Sequence, residues 1–257
     1  MPLGPVRILL PLLSAAACSP SQFVWGETGS SDLASYLESF ATAAGTRLEE
    51  GLSLPDALRR IRSERVLWLG DDHRDPALHE LQLELLSALA RQGVSMVLLL
   101  EAIGTQDEPA VADWLRSATT LDELLARTTA RWADSWLEHD SVDAEHYRAV
   151  LAFAKEHCVP VLGLEPTPRR PLRTRDDAIA ARVRNAAAAH PGSLLVVQIG
   201  QAHLLGDGAL IARTRLGGFA IGGSPTPALR AATPPPRGEP AALWRSDGGL
   251  WWFARSW

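Results

Sequence analysis

VLWLGDDHRDPALHELQL, residues 66–83, changes its period in the middle. Val66 to Leu69 form an unbroken apolar run, which reads as a strand buried on both faces. Gly70 ends the run, and Asp71, Asp72 and His73 occupy the turn. Asp75 is a helix N-cap and Pro76 suits the first helical position. From there Leu78, Leu81, Leu85, Leu86 and Leu89 recur at helical spacing as far as about Arg91. A buried strand feeding an amphipathic helix is the unit of an α/β fold with a parallel sheet.

The same unit recurs along the chain. Val94 to Leu100 is a second apolar run, closed by Glu101. Val159 to Leu164 is a third, closed by Glu165-Pro166. Leu194 to Ile199 is a fourth, followed by Gly200-Gln201-Ala202-His203. Helices are expected between them over 108–116, 121–130, 142–157 and from Thr174 to about His190, with Asp177 as a capping-box partner of Thr174. Two helices, Asp32 to Leu48 and Leu54 to Arg62, precede the first strand. A short helix over Asp207 to Thr214, a strand over Phe219 to Gly222 and a Pro-rich loop over Ser224 to Pro240 follow the fourth. The chain then closes with a hairpin, Ala241 to Trp244 and Gly249 to Arg255, turning at Asp247-Gly248. The expected fold is α/β, a mostly parallel central sheet flanked by helices with a C-terminal β-hairpin. Ligands of such sheets bind outside the carboxyl ends of the strands. All four runs end there in a polar group: Asp71/Asp72/His73, Glu101, Glu165 and His203.

Composition is that of one globular domain: 257 residues, 46% hydrophobic and 21% charged, with a formal net charge of -5. That charge argues against a nucleic-acid partner, which needs a basic footprint. The first residues have another logic. Arg7, the apolar run Ile8 to Leu13 and the small residues Ser14 to Ala17 make a secretory signal, far short of the roughly 20 apolar residues that span a bilayer. Small residues directly before Cys18 resemble a bacterial lipobox; the alternative is an ordinary signal peptide with an incidental cysteine. The expected organisation is therefore a leader over 1–17, lipidation at Cys18, a Ser/Gly/Pro tether over 18–31 and a single domain over 32–257. That places the domain in the bacterial cell envelope, lipid-anchored to a membrane on its extracytoplasmic side. Only Cys158 remains in the mature domain. A lone thiol makes no internal disulfide and no cysteine metal cluster, and its apolar neighbourhood reads as a small buried residue.

His73 and His203 each follow a Gly-x-x step at a strand end. Such histidines serve as metal ligands, acid/base groups or cofactor contacts, or they satisfy loop carbonyls. Glu101 closes a seven-residue apolar run, so its carboxylate has to be paired, hydrated or protonated. His79 and Gln82 share a helix face next to the His73 turn. Asp176 sits near a helix N-terminus, where the dipole favours it. Arg169, Arg170, Arg173 and Arg175 crowd the loop after the third strand, a solvated run or a site for a propionate, phosphate or carboxylate. Tyr147 is a core residue or an axial haem ligand. There is no G-x-S-x-G elbow, no Walker A loop, no HExxH and no GxGxxG.

Taken in order, Gly70-Asp71-Asp72-His73, Asp75-Pro76 with His79 and Gln82, Glu101, Tyr147, Arg175-Asp176 and Gly200-x-x-His203 resemble the ChaN-like haem-binding lipoproteins. These belong to a superfamily shared with the Tiki/TraB and erythromycin-esterase-like proteins. The likeness covers roughly Arg65 to Arg213. Asp71 stands where the family has Glu, Leu78 where it has the first histidine of a pair, and Gln201-Ala202 precede His203 in place of Asn-Gly. The resemblance implies haem bound through a tyrosine, matched here by Tyr147, with two haems stacked in a homodimer. His73, His79, Gln82, Arg175, Asp176 and His203 would be the other cofactor contacts, and uptake of iron or haem would be the role. The hydrolytic relatives imply an alternative. In it Glu101, His73 and His203 are catalytic, with Glu101 or His203 as general base, and Asp71, His73 and His203 hold a divalent metal. A third expectation is a structural lipoprotein without either activity.

Overall fold

The computed structural model describes residues 30–131, 135–138, 142–168, 170–232 and 242–253. The leader, Cys18 and the tether as far as residue 29 lie outside the described residues, as do Trp132 and Arg169. The chain opens with α1 (Ser30–Ala43), β1 (Leu48–Leu52) and α2 (Leu54–Ile61). The 66–83 stretch becomes β2 (Val66–Asp71) and α3 (Pro76–Arg91), with Asp75 capping through its carboxylate to the Ala77 and Leu78 N–H groups. Next come β3 (Met96–Gly104), α4 (Glu108–Leu115), α5 (Leu121–Arg131), α6 (Ala144–Glu156) and β4 (Val161–Glu165). The last third holds α7 (Leu172–Ala189), β5 (Leu194–Gly200), a 3-10 turn over Gln201–His203, α8 (Leu210–Thr214), β6 (Phe219–Ile221), α9 (Pro227–Arg230), β7 (Leu243–Ser246) and β8 (Trp251–Phe253).

The strands form one sheet in the order β1-β7-β8-β6-β2-β5-β3-β4. From β8 to β4 every pairing is parallel; β1–β7 and β7–β8 are antiparallel. The mostly parallel sheet and the C-terminal hairpin are thus as the apolar runs predict. Alternate residues of one strand feed opposite cores. Leu67, Leu69, Leu98 and Leu100 pack with α2 to α6, whereas Val66, Trp68, Val97 and Leu99 pack with α1, α7 and α8. Both faces are covered, which is why the strands read as continuous apolar runs rather than alternating ones. No described helix is long and apolar enough to cross a membrane.

Several boundaries depart from expectation. The first helix stops at Ala43 instead of running to Leu48, and Ser30-Ser31 of the expected tether belong to it. Gly45 turns the chain at φ +88°, and Asp247 Oδ1 accepts the Thr46 and Arg47 N–H groups. Leu48 to Leu52 then adds to the hairpin as an edge strand, Leu52 opposite Leu243. β3 continues past Glu101 to Gly104, placing the carboxylate inside the strand. α7 begins at Leu172 without a capping box; Thr174 Oγ1 donates to the Pro171 carbonyl instead. Part of the expected Pro-rich loop is the short α9. Cys158 is exposed, not buried.

Candidate functional site

The parallel register brings the tips of β2, β5, β3 and β4 to one edge, and their polar residues form two linked networks. The first centres on Asp71, the last residue of β2. Its Oδ2 accepts from Tyr147 Oη at 2.6 Å and faces His73 Nδ1 at 3.0 Å; its Oδ1 faces His79 Nε2 at 2.9 Å. Tyr147 Oη also lies 3.0 Å from His73 Nδ1. Burial by itself would raise the Asp71 carboxyl, but the hydrogen bonds and charges of His73 and His79 outweigh it and hold it far below the carboxylate range. On its far side His79 meets Asp143, Nδ1 to Oδ2 at 2.8 Å. Asp143 also caps α6 and donates its backbone N–H to the His73 carbonyl.

The second network centres on Glu101. Its Oε2 accepts the Gly200 N–H at 2.7 Å, and its Oε1 pairs with Arg175 and lies 3.5 Å from His203 Nε2. Arg175 also reaches Glu165 at 2.7 Å. His203 Nδ1 lies 2.6 Å from Asp176 Oδ1, and Tyr36 of α1 donates to Asp176 Oδ2 at 2.8 Å while standing 2.8 Å from His203 Nδ1. Burial opposes charge on His203, yet Glu101 and Asp176 raise its pKa to about 9. Burial likewise opposes charge on Glu101, which Arg175 and His203 nevertheless keep ionised.

The two networks share a plan. Each has a histidine whose Nδ1 is held by an aspartate and a tyrosine, and each histidine turns its other nitrogen towards Glu101. They meet at Gly200: a methyl group there would come within 3.3 Å of His73 Nε2 and 3.5 Å of Glu101 Oε2. A residue without a side chain is what lets the two networks touch. His73 and Asp143 form the edge of the assembly, their side chains 15% and 29% exposed and His73 beside Trp136, while the side chains of Asp71, His79, Tyr147, Glu101, Arg175 and His203 are buried.

The structure therefore gathers Asp71, His73, His79 and Tyr147 into one network and Glu101, Arg175, Asp176 and His203 into the other. Gln82 does not face the site. It donates to the Gly70 carbonyl and accepts from Gln198, a buried polar strut under the turn. Of the described arginines in the loop after β4, Arg170 and Arg173 are exposed and Arg175 turns inward. Glu165, the polar residue that closes the third apolar run, is a buried partner of Arg175. The expected metal set of Asp71, His73 and His203 is divided between the networks, and among the described residues no three His, Cys, Asp or Glu side chains are placed to share a metal ion. Glu101 and His203 do not suit the general base either, since both are buried, charged and ion-paired.

Tyr147 does not fit an axial haem ligand. Its side chain is 1% exposed, its proton goes to Asp71, and burial followed by the Asp71 charge pushes its pKa well above 10. A tyrosinate is therefore disfavoured, and a porphyrin face has no access to the oxygen. The only other tyrosine, Tyr36, is buried and committed in the same way.

Tyr36, Asp143, His146 and Gln198 are site residues that the sequence reading missed. Asp143 had a signal, since it precedes a helix as an N-cap. Tyr36 had none, because its partners lie 140 and 167 residues away.

Residues 57–174 match the family described as haem-binding uptake, Tiki superfamily, ChaN. Over that segment, somewhat less than half of its length, the chain is similar to that family. The matched segment holds the whole Asp71 network together with Glu101 and Glu165; Tyr36, Arg175, Asp176, Gly200 and His203 come from outside it. No curated protein matches the sequence. Among solved structures, the chain is similar to the type III effector HopBA1 (15% identity, 82% of this chain and 96% of that one, TM-score 0.46). It is similar to RRSP, a MARTX toxin effector domain from Vibrio vulnificus (16% identity, 83% and 44%, TM-score 0.47). It is also similar to ChaN of Campylobacter jejuni, whose structure shows cofacial heme binding (10% identity, 79% and 92%, TM-score 0.43).

Proposed function

We propose that the strand-tip centre of this domain is an acid–base site that hydrolyses an ester or amide, with His73 as its general base. The observation that carries this reading is the Asp71–His73 pair at the tip of a central parallel strand. Asp71 and Tyr147 hold Nδ1, Nε2 lies beside Gly200 on the side of Glu101, and His73 is more exposed than His79 and His203. A carboxylate behind an imidazole fixes its tautomer and supports the charge it gains on taking a proton from water. Glu101, Arg175, Asp176 and His203 act as positioning residues, holding fixed charges behind Gly200 so that nothing reorganises during proton transfer. The test is a panel of chromogenic esters and fluorogenic peptides with the purified protein and His73→Ala. Turnover well above that of the variant is expected. Equal rates across the panel would overturn the reading.

Haem binding is the second reading, and the family match is the observation that favours it. Because Tyr147 does not fit the iron, haem would sit on the domain's surface with other contacts, in a homodimer if the stacked arrangement applies. In either case we place the domain in the cell envelope, tethered by a lipid on Cys18, with haem or iron uptake as the role under the second reading. The Ser14 to Cys18 sequence supports the tether. Radiolabelled palmitate should enter the protein in a bacterial host and be lost in Cys18→Ala; label retained by the variant would exclude it.

A further inference from the structure

The buried ring of His203 has two sides. Its Nε2 faces Glu101, and its Nδ1 faces Asp176 and the Tyr36 hydroxyl. Tyr36 is the wall on the second side, and α1 carries it. This helix is lightly seated. Of its side chains from Asp32 to Ala43, only Tyr36 and Phe40 are buried, and Leu37 is exposed. Two polar contacts assist them. Tyr36 donates to Asp176 at 2.8 Å, and Ser39 Oγ donates to Asp207 Oδ1 at 3.1 Å while accepting the Asp207 N–H at 3.0 Å. Beside Tyr36 the seam between α1 and α7 opens into a cavity of about 440 Å³, lined among others by Asp32, Ser35, Leu172, Arg173 and Asp207. The other end of the helix is fixed. Gly45 turns the chain just after it at φ +88°, and Asp247 Oδ1 holds the next two N–H groups.

We propose that α1 is a hinged strap: it comes away from the domain about Gly45 while the sheet stays folded, and each opening admits solvent to Asp176 and His203 from the side away from Glu101. The contrast with the other network carries the argument. Its tyrosine, Tyr147, comes from α6, which also buries His146, Val150, Leu151, Phe153 and Ala154. A helix that buries two side chains has far less apolar area to lose on leaving than one that buries six, and such elements open at low cost. Once detached, a segment of 14 residues is too short to remain helical in water, so the open strap unravels. The loop that receives α1 cannot take its place. A methyl group on Gly206 would come within 2.6 Å of the Ser39 carbonyl carbon and 2.7 Å of the Phe40 nitrogen, and one on Gly208 within 2.5 Å of Tyr36 Oη. The loop is shaped to α1 by lacking side chains there, so it has none to cover the pair when α1 is gone. The strap does not depend on which reading of the strand-tip centre holds.

Native-state hydrogen exchange of the full chain in low concentrations of urea tests this. The α1 amides and the C2 position of the His203 ring are expected to exchange through an opening that urea promotes only weakly. The β2 and β5 amides and the His79 ring should exchange through global unfolding, with its full urea dependence. Tyr36→Phe should speed exchange of α1 and of the His203 ring by roughly tenfold, about the worth of one hydrogen bond. Gly206→Ala should speed both as well, although it alters no member of the network, because its methyl group meets the α1 backbone. Gly217→Ala controls for backbone strain: Gly217 has a similar φ of +62° and open space around it, so α1 exchange should stay as it is. If α1 and His203 in the unmodified protein exchange with the urea dependence of β2, the strap does not exist, and this result needs no variant. Rapid α1 exchange with a His203 ring as protected as that of His79 would also overturn the proposal. So would a Gly217→Ala protein whose α1 opens as readily as in Gly206→Ala.

Discussion

At the scale of single residues, the site is a set of charges removed from water and held by one another. His203 is fully buried between Asp176 and Glu101, which raise its pKa from 6.5 to about 9. A folded-state pKa above the unfolded value means that protonation stabilises the fold. That stabilisation is complete below about pH 6.5 and is lost as pH rises through about 9. At about 1.4 kcal/mol per unit, the contribution is of the order of 3 kcal/mol. Urea unfolding should therefore show stability falling between these limits, and His203→Gln should be less stable at neutral pH with a flatter profile. An unchanged slope in the variant would show that another group is responsible. The sequence made His203 and Glu101 visible as polar residues beside apolar runs, because such residues need partners. It did not reveal Tyr36 or the division of labour between the two histidines. A phenol on the first helix carries no mark of a partner on the seventh, and exposure decides which imidazole can be a base.

At the scale of elements, strands and helices were readable where burial and period agree. β2, β5 and α3 are close to expectation because apolar runs and an Asp-Pro cap leave little choice. β1 was not readable: LEEGL has neither a clean alternation nor an apolar run, and it is a strand because Asp247 and β7 receive it. The end of α6 is a similar case. Val159 N–H bonds to the Ala154 carbonyl and Cys158 N–H to that of Lys155, with Cys158 at φ +52°. This is a Schellman ending with cysteine in the place that usually belongs to glycine. α3 ends in the same way with Gly93 at φ +70°. The left-handed position turns Cys158 outward, which is why an apolar neighbourhood misled the reading. Relief of a left-handed L-residue is worth roughly 1–2 kcal/mol, less roughly 0.5–1 for the extra freedom of glycine in the unfolded chain. Cys158→Gly should raise the melting temperature by about 1–3 °C, as differential scanning calorimetry would show. A lowered value would mean that the thiol makes a stabilising contact.

At the scale of the whole molecule, one topological fact shapes the site. β5 lies between β2 and β3, so Gly200 separates the tips that carry His73 and Glu101. α1 and α7 close the second core and bring Tyr36 and Asp176 to the edge. The sequence reading recovered the parallel strands and the shared edge, because strand ends are local. It could not order the strands, so it treated Asp71, His73 and His203 as one metal set when they belong to two networks. The same arrangement bears on haem. A tyrosinate ligand needs an open face and a phenol that gives up its proton, and both tyrosines of this chain are enclosed and bound to aspartates. Hemin titrated into the protein should therefore give the same Soret change and the same stoichiometry in Tyr147→Phe as in the unmodified protein. The variant should instead melt earlier, since Asp71 loses its shortest hydrogen bond, a contact of a kind worth roughly 1.5–3 kcal/mol. Light scattering with and without hemin would show whether binding pairs two copies. A Soret change abolished in Tyr147→Phe, with the melting temperature unmoved, would mean that the phenol leaves Asp71 for the iron. The Asp71 network would then be a resting arrangement displaced by haem, and the hydrolytic reading would lose its foundation.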